Sequence, residues 1–188
     1  KTEDGLAMPF INSPTCSDYL RRLARKGNKE EIITLFERLY QAILKSSEHE
    51  PESQNQFPLK NEVDCDFGII LKKAYIDMVP FNCFFINNEM VFFDQEFVRC
   101  HYPASYTLFR ALKYTYLSIP EVENLIPLES FKNRYGLEKL WGVFSREEDR
   151  FVAENRRYDV YGTFYSWTWI DEKQITENAE KLIKYGQS

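Results

Sequence analysis

The chain has 188 residues, of which 44% are hydrophobic and 16% aromatic, and its formal net charge is −5. This composition indicates a packed interior, and the length suits one domain with an appended segment. The acidic balance, without a basic stripe, argues against nucleic acid and against an anionic membrane surface. No apolar run reaches the ~18–20 residues that a membrane-spanning helix requires.

The cysteines and histidines give no sign of a zinc site. The two histidines are far apart, and no close spacing joins the four cysteines, Cys16, Cys65, Cys83 and Cys100. No secretory signal is recognisable at the N-terminus. We therefore expect reduced and mostly buried cysteines in a cytoplasmic protein.

The first eleven residues have the pattern of half a hairpin. They suggest the end of one strand, a turn at Asp4-Gly5 and a second strand over residues 6–11. Because a polypeptide rarely starts in this way, we interpret the chain as a piece of a longer protein.

Two helices are predicted next. The first is capped by Thr15 or Ser17 and is stopped by Gly27, a residue typical of helix C-termini. The second begins after Asn28 and ends near residues 46–47, with apolar side chains recurring at helical spacing.

The following segment lacks any periodicity. It is polar and contains Pro51 and Pro58, which predicts a surface loop over residues 48–66. A short apolar stretch at residues 67–71 then leads towards Tyr75.

The densest apolar segment predicts a hairpin. Two aromatic runs flank Asn87-Asn88, and asparagine tolerates the positive φ that tight hairpin turns need. Asn82 lies at the entrance of this hairpin and Asp94 at its exit. Because the two ends of a hairpin lie side by side, we expect Asp77, Asn82 and Asp94 in one neighbourhood.

The rest of the chain is helical in character, which makes the predicted fold class α+β and mainly helical. Helices are expected over residues 103–114, from Ser145 onward and over residues 175–185. The aromatic run over residues 161–169 suits either a sugar-stacking platform or ordinary core packing.

The spacing Asp77-x-x-x-x-Asn82, followed by a hairpin and Asp94-Gln95-Glu96, resembles the phosphoryl-transfer centre of kinases, in particular the aminoglycoside and choline kinase branch. Residues 77–97 and 103–116 are similar to kinase-like domains fused to bacterial methyltransferases or glycosyltransferases of surface-polysaccharide assembly. The resemblance implies a protein-kinase-like C-terminal lobe over residues 12–188 with a small catalytic β-hairpin. Residues 1–11 would be the hinge and the end of a preceding N-lobe hairpin, with the N-lobe itself absent.

The resemblance also implies roles for individual residues. Asp77 would accept the proton of the substrate hydroxyl, while Asn82 and Asp94 would hold magnesium against the phosphates of ATP. At the hinge, the nucleotide would be contacted by Phe10, Ile11 and Asn12.

Two departures from the family pattern leave activity open. Tyr75 stands where the family usually has histidine, and the chain has neither a Gly-rich loop nor a strand lysine, which we expect in a lobe preceding Lys1. The leading hypothesis is ATP- and magnesium-dependent phosphoryl transfer to a sugar or polysaccharide hydroxyl. The alternative is a non-catalytic module that binds a glycan or docks a neighbouring methyltransferase or glycosyltransferase domain.

Arg110, on the helix predicted after the hairpin, would either face the site or form an ion pair with Glu96.

Overall fold

The computed structural model describes residues 11–87 and 89–155. The chain divides into two compact units after Glu147, and every element below belongs to the first, except the end of the last helix. Helices dominate the described residues and are joined by two small antiparallel sheets, which confirms the predicted α+β class. The strand predicted at residues 6–11 and the helix predicted at residues 175–185 lie, wholly or almost wholly, outside the described part.

Helix α1 spans Cys16–Arg25 and begins where its cap was predicted. The side chain of Thr15 accepts from the backbone N–H of Asp18 at 3.2 Å, and the Asp18 carboxylate accepts from the N–H of Thr15. This reciprocal pair is a capping box, which satisfies two backbone donors at the helix start. Gly27, with a φ of 68°, follows the helix in the left-handed conformation that glycine adopts without strain.

Helix α2 spans Lys29–Lys45, and its predicted cap is confirmed. The side-chain oxygen of Asn28 accepts from the N–H of Glu31 at 3.2 Å. The helix buries one face, as the periodicity predicted, through Ile32, Leu35, Phe36, Leu39 and Ile43.

The segment over residues 48–66 is more ordered than the predicted surface loop. Strand β1 (His49–Glu50) opens it, and two short 3₁₀ turns follow. The Phe57 ring is fully buried and lies 5.2 Å, between ring centroids, from that of Phe144. A single buried ring produces no periodicity, which is why the sequence pattern did not reveal it.

The strands are short and antiparallel. Strand β2 spans Ile70–Tyr75, β3 Cys83–Ile86, β4 Glu89–Phe92 and β5 Val98–Pro103. One sheet has the order β1-β2-β5, and the other is the β3–β4 hairpin. The predicted hairpin is therefore confirmed, and Asn87 has the expected positive φ, 50°.

Four helices complete the described chain. Helix α3 spans Ala104–Ser118, α4 Glu121–Leu125, α5 Leu128–Tyr135 and α6 Trp141–Asn155. Every residue from position 104 to position 112 is buried, so α3 is the central helix. The helix predicted from Ser145 in fact starts at Trp141, because the apolar residues before Ser145 are already part of its buried face.

The core around α3 is aromatic. Its rings lie at centroid distances of 5.2–6.0 Å from one another in a cluster made of Phe57, Phe67, Tyr102, Tyr106 and Phe144. Such rings bury large apolar areas and prefer tilted or edge contacts. Of the helices in the described chain, none is both long enough and apolar enough to cross a membrane.

Candidate functional site

Asp77 lies in a tight turn directly after strand β2. Its backbone oxygen accepts from the N–H of Val79 at 2.8 Å, and the N–H of Met78 donates to the oxygen of Tyr75 at 3.2 Å. The Asp77 side chain is only 13% exposed. The turn therefore presents a largely buried carboxylate at the end of a core strand.

Asn82 ends the 3₁₀ turn Pro80–Asn82, which leads into strand β3. The side chain of this residue is buried, and its Nδ2 donates to the backbone oxygen of Asp77 at 3.4 Å. The backbone oxygen of Asn82 accepts from the N–H of Phe93 at 3.0 Å. This bond closes the base of the hairpin and holds its entrance against its exit.

Asp94 lies two residues after strand β4 and is exposed. Its φ of 54° is uncommon for a residue other than glycine. Such conformations cluster at ligand-holding and switch positions, so the observation motivates a functional hypothesis.

Gln95, the middle residue of the predicted third motif, connects the two ends of the site. Its Nε2 donates to the backbone oxygens of Asp77 at 2.9 Å and Phe93 at 2.8 Å. Its Oε1 is buried and has no hydrogen-bond partner among the described residues. Asn82 and Gln95 therefore converge on one atom, the backbone oxygen of Asp77, which brings residues 77, 82 and 93–95 into one neighbourhood.

The expected pairing of Arg110 with Glu96 is corrected by the structure. Arg110 Nη1 donates to Asp77 Oδ1 at 2.7 Å and to the backbone oxygen of Ile76 at 2.6 Å. Helix α3 packs directly under the end of β2, so the guanidinium reaches the turn rather than the hairpin exit. Arg110 instead contacts Asp77, which agrees with the alternative prediction that this residue faces the site.

The structure describes only some of the other residues that were predicted to contact a ligand. Phe10 lies outside the described residues, as does the aromatic run over residues 161–169. Ile11 is half-buried and Asn12 is exposed. Their predicted role in nucleotide binding stays a prediction.

A buried pair of thiols lies beside the site. Thr15 forms a β-bridge with Phe84, which makes Cys16 and Cys83 neighbours across the two segments. A hydrogen bond with Cys83, and then burial, raise the pKa of the Cys16 thiol well above its ordinary value. Because the thiolate is the reactive form, we expect Cys16 to be unreactive in the folded protein.

The metal prediction concerns an unusual donor set. Within residues 11–87 and 89–155, no three His, Cys, Asp or Glu side chains are grouped to share a metal ion. The predicted set instead combines the amide of Asn82 with the carboxylate of Asp94. Since Asn82 uses its nitrogen for Asp77, its oxygen is the atom available to a cation. Oxygens of this kind, with waters, suit the chemistry of magnesium, and the metal site at Asn82 and Asp94 stays a prediction.

Sequence reasoning missed a pocket elsewhere in the described chain. A pocket of about 450 Å³ is formed by residues from four separate parts of the chain, among them Tyr40, Cys65, Asp66, Ser105, Tyr135 and Lys139. Burial raises the pKa of Tyr135 to about 12 and raises that of Tyr40, so both phenols stay protonated at neutral pH. No residue of this pocket belongs to the predicted set, and no spacing in the sequence joins them.

No protein-family model matches the chain, and no curated protein or solved structure is significantly similar to it. The kinase-like relationship therefore stays a prediction that depends on the residues around Asp77. The function of the chain has to be inferred from the contacts of the residues around Asp77.

Proposed function

We propose that this chain is the C-terminal lobe of a kinase-like phosphotransferase that transfers a phosphoryl group from ATP to a hydroxyl of a sugar or polysaccharide. The observation that carries the proposal is the convergence on Asp77. Its backbone oxygen accepts hydrogen bonds from Asn82, at the hairpin entrance, and from Gln95, at the exit. A proton acceptor and two metal-binding oxygens need this proximity.

Asp77 takes the role of proton acceptor in this proposal. The acceptor hydroxyl gives its proton to the carboxylate while its oxygen attacks the γ-phosphorus, and the bond from that phosphorus to the bridging oxygen breaks to release ADP. Magnesium held by Asn82 and Asp94 would neutralise phosphate charge. The uncommon φ of Asp94 agrees with a residue held for ligand binding.

ATP binding needs groups that grip the α- and β-phosphates, and this sequence has no Gly-rich loop or strand lysine for that purpose. We therefore assign those groups to a preceding lobe of the full-length protein, joined through the hinge at Phe10, Ile11 and Asn12. The cellular setting, by resemblance, is bacterial glycan biosynthesis in the cytoplasm, beside methyltransferase or glycosyltransferase domains.

The ion pair of Asp77 favours a second candidate function. A carboxylate that already accepts a hydrogen bond from a guanidinium, at 2.7 Å, has only one oxygen left for a substrate. A non-catalytic kinase-like module that binds a glycan or docks a neighbouring domain does not need a free Asp77 carboxylate, so the ion pair with Arg110 would not impair it.

The deciding experiment measures ATP consumption by the full-length protein with a panel of polysaccharide-derived acceptors. Asp94→Ala removes a metal ligand and is expected to abolish nucleotide binding and turnover. Asp77→Asn is expected to retain nucleotide binding while turnover falls by ~10²–10⁴-fold, the usual contribution of general-base catalysis. Asp64→Asn, at an exposed position, is the matched control and should behave as wild type.

Two outcomes would contradict the proposal. The first is a wild-type protein without turnover on every acceptor and indistinguishable from both variants, which establishes the non-catalytic module. The second concerns the 188-residue chain alone, for which we expect ATP affinity weaker than about 1 mM because the phosphate-gripping groups are missing. Tight binding by this chain would show that the nucleotide site lies elsewhere.

A further inference from the structure

Arg110 contacts the backbone and the side chain of two consecutive residues in the turn after β2. A single nitrogen, Nη1, donates to the Ile76 oxygen at 2.6 Å and to Asp77 Oδ1 at 2.7 Å. The side chains of Arg110 and Asp77 are 7% and 13% exposed. A charge-assisted hydrogen bond at this depth is shielded from water and is geometrically specific.

The guanidinium is itself held in place by its surroundings. Arg110 lies on the fully buried stretch of helix α3, and its guanidinium lies 5.6 Å from the centre of the Tyr114 ring, one helical turn later. The Tyr114 ring in turn meets the Phe81 ring edge-on, at 6.0 Å. Phe81 directly precedes Asn82 in the 3₁₀ turn Pro80–Asn82, so Arg110 is supported by the segment that follows the turn it holds.

The two oxygens of the Asp77 carboxylate have different surroundings. Oδ1 binds Arg110, whereas Oδ2 has no hydrogen-bond partner among the described residues. The backbone oxygen of Asp77 is fixed independently, by the N–H of Val79 and the side chains of Asn82 and Gln95. One carboxylate oxygen therefore anchors the side chain and the other is left for a substrate.

We propose that Arg110 is the positioning residue for Asp77, an inference that rests on the proposed phosphotransfer function. By binding Oδ1, it holds Oδ2 towards the acceptor hydroxyl. Oδ2 takes the hydroxyl proton as the oxygen bonds to the γ-phosphorus of the nucleoside triphosphate, and the nucleoside diphosphate leaves with the bridging oxygen. Arg110 exchanges no proton and touches neither substrate.

Tyr75, where the resemblance implies a histidine that supports the loop, does not fill that role through its side chain. Its hydroxyl makes no hydrogen bond to any described residue, and the residue contributes through its backbone in β2. Support for the turn comes instead from helix α3, through a residue 33 positions after Asp77.

The test compares Arg110→Lys and Arg110→Met with wild type in the full-length protein, with Arg134→Met as the matched control because the ion pair of Arg134 with Glu37, at 3.6 Å, is exposed. We expect Arg110→Met to lower kcat by roughly 10²-fold with little change in KM for ATP, the scale of a misplaced catalytic group. Arg110→Lys keeps the charge but cannot reproduce the planar guanidinium, so it should lose about tenfold and thereby rescue part of the loss. Arg134→Met should leave kcat and KM unchanged.

Circular dichroism and thermal unfolding establish that each variant is folded, and Arg110→Lys keeps the test decisive should Arg110→Met fail to fold. An active wild type in which both folded variants keep their kcat overturns the positioning role and leaves the proposed function intact. A rise in KM for ATP with unchanged kcat overturns it as well, since that places Arg110 in nucleotide binding. A wild type without turnover on any acceptor refutes the proposed function, and the positioning role is refuted with it.

Discussion

The side-chain amide of Gln95 donates a hydrogen bond of 2.9 Å to the backbone oxygen of Asp77, 18 residues earlier in the chain. The same nitrogen also donates to the oxygen of Phe93 at 2.8 Å. One side chain thus ties the exit of the β3–β4 hairpin to the turn after β2. The family resemblance depends on the acidic residues on either side of Gln95. In the structure, it is the Gln95 amide that connects the two segments.

Replacing Gln95 by alanine should loosen this connection. The variant loses both hydrogen bonds, so we expect the free energy of unfolding to fall by about 1–3 kcal/mol. Chemical denaturation followed by fluorescence measures the change. Gln41→Ala, at an exposed position on α2, is the control and should stay within about 0.5 kcal/mol of wild type. Equal effects of the two substitutions would contradict a connecting role.

The buried position of Phe57 can be tested in the same way. Phe57→Ala removes a fully buried ring from the aromatic cluster and should cost about 3–5 kcal/mol in the free energy of unfolding. Leu117 is 70% exposed, so Leu117→Ala should change the stability by less than about 0.5 kcal/mol. A Phe57 variant as stable as the Leu117 variant would show that this ring is not part of the packed core.

Local structure was predictable from the sequence because its causes are local. The caps at Thr15 and Asn28 each satisfy a backbone N–H three residues away, and the turn at Asn87 depends on the tolerance of asparagine for positive φ. The neighbourhood of Asp77 and Asn82 followed from the same hairpin. Interactions and backbone preferences within a few residues decide each of these features.

Contacts between distant segments could not be predicted in this way. The Arg110–Asp77 pair joins residues 33 positions apart, and its formation depends on how α3 packs under β2. From the sequence, we expected Arg110 to pair with Glu96 rather than to face the site. Phe57 was missed for a related reason, since its burial depends on packing against rings of β5, α3 and α6 rather than on any periodicity of its own.

Alkylation rates of the cysteines test the packing beside the site. Cys100 is exposed, whereas Cys16 and Cys83 are buried. Because the pKa of Cys16 is raised by its hydrogen bond with Cys83 and by burial, its thiolate fraction at about pH 8 is far below that of an ordinary thiol. Iodoacetamide should therefore label Cys100 first and label Cys16 and Cys83 only in denaturant, as followed by peptide mass spectrometry. Labelling of Cys16 at the rate of Cys100 in the folded protein would refute this packing.

A double-mutant cycle tests the coupling between Arg110 and Asp77 without reference to activity. Arg110→Met leaves a buried carboxylate without its partner, which should cost about 3–5 kcal/mol in the free energy of unfolding. Asp77→Asn keeps the shape of the side chain but removes the carboxylate charge that the buried guanidinium binds, so it should also be destabilising. The double variant buries neither of these two charges. Its loss in the free energy of unfolding should therefore be smaller than the sum of the two single losses, by up to about 3 kcal/mol.

An exposed pair provides the control for this cycle. Arg134 and Glu37 are 3.6 Å apart, with side chains 49% and 43% exposed, so their coupling energy should not exceed about 1 kcal/mol. All seven proteins are compared by chemical denaturation under one condition, the cycles being built from Arg110→Met with Asp77→Asn and from Arg134→Met with Glu37→Gln. Strictly additive losses at Arg110 and Asp77 would mean that the guanidinium does not hold the carboxylate. In that case Asp77 would be oriented by its own turn, through the bonds that its backbone oxygen accepts from Val79, Asn82 and Gln95.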